Sequence, residues 1–158
     1  MKTKLLFPHK YKKIGLFILI PSFVLFFITL YMDVSPSFFD WNVISLFNHS
    51  FMKEGPLVSI IENNVLGEIL GILIIVGGLL VAFSNENNED EFISAIRLDA
   101  LVWALIINYA ILILMIIFIY DLRFLDVMLF NMFTTLILFI LKFNWDLRKL
   151  NSAIGHEE

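Results

Sequence analysis

Three histidines, 15 acidic residues and no cysteine are the groups from which this 158-residue chain could build reactive chemistry. Without cysteine there is no thiol nucleophile, disulfide scaffold, Cys-ligated zinc or iron–sulfur cluster. His9, His49 and His156 lie far apart and outside every long apolar stretch. A membrane metalloprotease needs H-E-x-x-H, whose two histidines share one helix face and meet one zinc; the sequence has no such pair. A serine protease needs an activated Ser beside a His or Lys base, and no apolar stretch carries both. Paired membrane aspartates, the histidine boxes of diiron desaturases and the aspartate-rich motif of phosphatidyl-alcohol transferases are also missing. A small multidrug exporter would present a glutamate inside its first apolar stretch, which here is uncharged. The expectation is a non-enzymatic protein with no cofactor and no metal site.

The elements that would carry any such groups are set by composition. Apolar residues make up 59% of the chain and charged residues 16%, with a mean hydropathy of +0.87. Soluble domains carry roughly 45–50% apolar and about 25% charged residues. A chain of this size buries only about 70% of the surface it exposes unfolded, so a soluble globular fold is excluded. Four stretches are expected to be long enough to cross a bilayer, which needs roughly 20 apolar residues per helix: 14–32, 66–83, 98–120 and 124–143. The expected fold is an all-α membrane protein, a single four-transmembrane-helix bundle. The outer loop is 33–65, the acidic inner loop 84–97 and the C-terminal tail 144–158.

Orientation follows from the cations, which favour the cytoplasmic side. Four crossings place Lys2, Lys4, Lys10, Lys12, Lys13, Arg97, Lys142, Arg148 and Lys149 on one side, and only Lys53 and Arg123 on the other. Both termini are therefore expected in the cytoplasm, with the protein in the inner membrane. Tyr11, Trp103 and Trp145 then fall at inner ends and Tyr31 and Tyr120 at outer ends, where amphipathic rings collect. A cleaved signal peptide would fit the basic start. However, the first apolar core exceeds the usual 7–15 residues and no small-x-small site follows Tyr31. Pro21 sits within that span, where neighbouring helices can satisfy the freed carbonyl.

The outer loop mixes Phe38, Phe39, Trp41, Phe47 and Phe51 with few charges. This pattern suggests a short interfacial amphipathic helix around Trp41 to Phe51, with Pro56 starting a helix that runs into the second span. A ligand-sensing or partner-binding loop is the alternative. In the inner loop, Asn88 followed by Glu91 resembles a capping box. The third helix is thus expected to start near Glu89, run to Tyr120 and project into the cytoplasm, reaching roughly 48 Å. Glu86, Glu89, Asp90 and Glu91 form a solvated face, an internal electrostatic match to the basic N-terminal tail, or a cytoplasmic docking surface.

Inside the spans, Gly67, Gly71 and Gly78 share a helix face, with Gly77 beside them. Small residues at that spacing let helix backbones approach closely. Asn108 lies near the middle of the third span and is expected opposite Thr135, with Asn131 nearer the outer side. No ionisable residue lies near the midplane, so these amides read as helix-packing groups that bond across the hairpin.

Asn88-Glu89-Asp90-Glu91-Phe92-Ile93, Ile96-Arg97-Leu98, Asn108-Tyr109 and Phe130-Asn131-Met132-Phe133 carry a resemblance that extends to Tyr11-Lys12-Lys13-Ile14-Gly15 and Pro21-Ser22. The chain resembles small bacterial four-helix integral membrane proteins of uncharacterised function. That resemblance implies the four-span fold and no activity. The net charge of −4 and the lysine-rich start beside apolar sequence favour anionic lipid headgroups over nucleic acid. The expected partners are the lipid bilayer and a second protein or further copies of the chain. The expected function is that of an accessory, regulatory or immunity-type membrane subunit; a small oligomeric transporter or channel is the alternative.

Overall fold

Long apolar runs between charged or turn-forming residues become helices along most of the chain. The computed structural model describes residues 6–32, 34–46, 58–86 and 91–154. Its helices are α1 (Lys10–Met32), α2 (Leu66–Ala82), α3 (Glu91–Phe118) and α4 (Arg123–Ile154), and its strands are β1 (Asp40–Leu46) and β2 (Val58–Asn64). Helices α1, α3 and α4 are long and apolar enough to cross a membrane. With 17 residues, α2 reaches roughly 26 Å, against a hydrocarbon core of about 30 Å. Helical backbone bonds from Ile69 N–H to Val65 O and from Phe83 N–H to Leu79 O, both 3.0 Å, extend its pattern one residue at each end.

The chain divides into two compact units, Met1–Ile20 with Ile74–Glu158, and Pro21–Leu73. In the first unit each helix buries one narrow stripe. Gly15 and Leu19 lie on that of α1, and Ile74, Gly77, Gly78 and Val81 on that of α2. Ile93, Arg97, Ala100, Ala104 and Asn108 repeat at three- and four-residue spacing along α3. Phe139, Phe143 and Leu147 follow at four-residue spacing on α4. Outside these stripes stand exposed Phe17, Ile106 and Leu141. A helix apolar on all sides suits a hydrocarbon surround, because no polar face is needed towards water.

Helices α3 and α4 pack against each other across a turn in which Asp121 adopts φ 58°. Among non-glycine residues, Asp and Asn enter that left-handed region most readily. At 28 residues, roughly 42 Å, α3 outreaches a bilayer core but stops short of Tyr120. The longer helix is α4. The residues expected as a tail continue it to Ile154, because the buried stripe extends to Leu147. Lys142 and Asp146 also pair at 2.7 Å one turn apart, which supports the same continuation.

In the second unit the expected interfacial helix is overturned: residues 40–46 form a strand paired antiparallel with β2, in the register Val43–Ile61 and Ile44–Ile60. Val43, Ile44, Val58, Ile60 and Ile61 are β-branched, and restricted χ1 rotation favours the pleated sheet over the helix. Residues 47–57, including Pro56, lie outside the described residues. Helix α2 starts at Leu66 rather than near Pro56. Asn64 organises this start: its Nδ2 donates to Pro36 O (2.9 Å) and Asp40 Oδ1 (2.7 Å), and its Oδ1 accepts from Leu66 N–H (3.3 Å). Asn63 Nδ2 donates to Glu68 Oε1 at 2.9 Å, and that carboxylate suits the positive first turn of a helix.

Candidate functional site

Two clusters of polar side chains tie together the helices of the first unit. One is at the end of the helices, where α1 begins and α2 finishes. Phe7 N–H donates to Phe83 O, and Asn85 N–H to Phe7 O, each at 2.8 Å, which forms a single parallel bridge. His9 Nδ1 lies 2.9 Å from Asn85 O, an acceptor, so that nitrogen carries the proton. Lys12 forms an ion pair with Glu86, and the Ser84 hydroxyl donates to Leu80 O. A lysine-bearing segment thus closes over the end of α2.

Arg97 lies beneath this closure and is 8% exposed. Its Nη2 donates to Ser84 O at 3.2 Å, and its guanidinium carbon sits 5.0 Å from the Phe143 ring centroid. Phe143 stacks on Phe139 at 6.0 Å, and Phe139 meets Phe83 at 5.9 Å. A planar guanidinium can face an aromatic ring and still donate to a carbonyl, which a lysine ammonium does less well. Arg97 therefore fastens α3 to α2 and α4. By charge alone Arg97 is a loop cation, but its spacing to Ile93, Ala100 and Ala104 places it on the buried face of α3.

The second polar place is between α3 and α4. Asn108 is 3% exposed, and Asn131 Nδ2 donates to its Oδ1 at 3.4 Å. The expected Asn108–Thr135 pairing is replaced by an amide–amide pair. Helix α3 ends at Phe118 and α4 begins at Arg123, which centres the turn between Tyr120 and Asp121. Asn108 then faces the neighbourhood of Phe133, and Asn131 is within reach. Thr135 is partly buried on α4, while its neighbour Thr134 donates to Phe130 O at 2.9 Å.

The glycines divide differently from their expected shared face. A Cβ built on Gly67 would meet nothing within 4 Å, whereas Gly78 packs against the Leu136 side chain of α4. Gly71 is half-buried in the second unit. A close backbone approach involves Gly77 and Gly15, which spacing within one helix could not reveal. A Cβ on Gly15 would lie 2.7 Å from Gly77 O, and one on Gly77 would lie 2.9 Å from Leu19 N. Of the acidic residues considered for docking, Glu86 pairs with Lys12 and Glu91 is exposed in the first turn of α3, while Glu89 and Asp90 lie outside the described residues.

Comparison with protein-family models, curated proteins and solved structures finds no match. Residue roles therefore rest on the geometry. Among the described residues no group of three or more His, Asp or Glu side chains could hold a metal ion. Two of the buried polar groups fasten helices together, Arg97 at one end and Asn108, through Asn131, in the interior.

Proposed function

We propose that the chain is a non-enzymatic inner-membrane protein that works through a partner, as an accessory, regulatory or immunity-type subunit. The observation that carries this reading is the amide pair Asn131–Asn108. Polar groups deep in the α3–α4 hairpin are directed at each other, as suits a dry packed core rather than a permeation path. Purification from its native membrane in a mild detergent tests the proposal. A stoichiometric second protein supports it; a homo-oligomer that conducts ions in planar bilayers replaces it with a channel.

The proposed topology has four crossings with both termini in the cytoplasm. Bonds from Phe7, ahead of α1, to Phe83 and Asn85, after α2, support it, because α2 returns the chain to the end from which α1 departs. Three crossings would also strand Lys142, Arg148 and Lys149 on the outer side, against the charge preference. Reporter fusions after Phe143 and within 84–91 should both read cytoplasmic. An external signal from either overturns the four-crossing topology.

A further inference from the structure

An open groove of about 350 Å³ lies on the α3–α4 hairpin, lined by Trp103, Leu138, Leu141, Lys142 and Trp145. Its chemistry changes along α4. Leu138 and Leu141 form an apolar floor, then Lys142 and Trp145 follow one turn on, and exposed Arg148 and Lys149 come one turn later. The Lys142 ammonium is held 5.8 Å from the Trp103 ring centroid and 2.7 Å from Asp146 Oδ1. Trp103 and Trp145 are themselves exposed. Helical spacing of three and four residues keeps Leu138, Leu141, Lys142, Trp145 and Lys149 on one face.

We propose that this groove is a binding site for one anionic phospholipid, with its acyl chain on Leu138 and Leu141 and its phosphate beside Lys142 and Lys149, between the two tryptophans. The order of apolar floor, indole belt and cations matches the order of a lipid from chain to headgroup. A protein partner or a second copy has no need of that gradient. Asp146 neutralises Lys142 in part and holds its ammonium at the rim, and Arg148 and Lys149 leave a net positive charge for the phosphate. The site rests on membrane insertion of α3 and α4 and is independent of the partner-protein reading.

The test uses the full chain with Trp41→Phe, so that fluorescence comes from Trp103 and Trp145, in vesicles containing chain-brominated phosphatidylglycerol or phosphatidylcholine. Brominated phosphatidylglycerol is expected to quench at a lower mole fraction than phosphatidylcholine. Lys142→Gln should weaken that preference about fivefold, the worth of one cation near the membrane surface, while Lys142→Arg retains it. Trp145→Leu, read through Trp103 alone, should also weaken it and does not depend on the Lys142 variants folding. Equal quenching by the two lipids overturns the site, as does an unchanged preference in Lys142→Gln. Displacement by inorganic phosphate at constant ionic strength assigns the groove to a free anion and overturns the lipid. Quenching by neither lipid, with a dimer in native mass spectra, assigns it to a second copy and also overturns the proposal.

Discussion

Adding one methyl group at Gly15 is the sharpest perturbation the helix packing offers. Its Cβ would lie 2.7 Å from Gly77 O, 2.8 Å from Leu80 Cβ and 2.9 Å from Val81 N. Ordinary carbon contacts lie near 3.5–4.0 Å, so α1 and α2 must separate by roughly 1 Å. Two of the three obstructing atoms are backbone, which cannot rotate away as a side chain can. Overpacking of this kind costs about 1–3 kcal/mol, offset by up to about 1 kcal/mol from the better helix propensity of alanine. With the full offset, Gly15→Ala should therefore destabilise by up to about 2 kcal/mol. Gly67→Ala, which adds its methyl to open space, should be neutral or stabilising by up to about 1 kcal/mol.

Reversible denaturation of the purified protein in mixed micelles, followed by circular dichroism, measures both variants. Gly77→Ala should resemble Gly15→Ala, since its Cβ would lie 2.9 Å from Leu19 N and 3.0 Å from Gly15 O. The double variant should cost less than the sum of the two, because one separation of the helices relieves both clashes. Equal stability of Gly15→Ala and Gly67→Ala would refute the close approach of α1 and α2.

Further outcomes follow from the polar contacts. Asn108→Leu should cost about 1 kcal/mol, and a double-mutant cycle with Asn131→Leu should give a coupling near 0.6 kcal/mol, with none to Thr135→Val; coupling to Thr135 instead would restore the discarded register. Arg97→Lys should lose about 1–2 kcal/mol through poorer stacking on Phe143, and denaturation as stable as the parent would remove Arg97 from the packing argument. Breaking the partly buried Lys12–Glu86 pair with Lys12→Gln should cost about 1 kcal/mol, with stability recovered when the charges are exchanged in Lys12→Glu/Glu86→Lys. Asp121→Gly should be neutral or slightly stabilising and Asp121→Val should cost about 1–2 kcal/mol, since the left-handed φ of 58° penalises a β-branched residue.

Long apolar runs announced the helices because a run near 20 residues has few other ways to satisfy its backbone in lipid. The outer segment misled for a related reason. Its aromatic residues suggest an interfacial helix, yet Val43 and Ile44 on one side and Val58, Ile60 and Ile61 on the other are β-branched and favour strands, and pairing outweighed aromatic content. Arg97 was also readable, since it falls on the 93–97–100–104–108 stripe. A charged residue near the end of an apolar run is easily assigned to the loop when charge is weighed before periodicity.

The sequence by itself determined the long apolar helices, the helical class and the α3–α4 hairpin, all of which follow from hydropathy and the short turn. Tertiary structure decided which small and polar residues meet. Gly15 faces Gly77, and Asn108 faces Asn131 instead of Thr135. These pairings depend on where the turn is centred and on how two helices are rotated against each other. Spacing within one helix fixes only which residues share a face; the partner of that face is set by packing between helices, where a register shift of a few residues moves a side chain several ångströms and exchanges its neighbour.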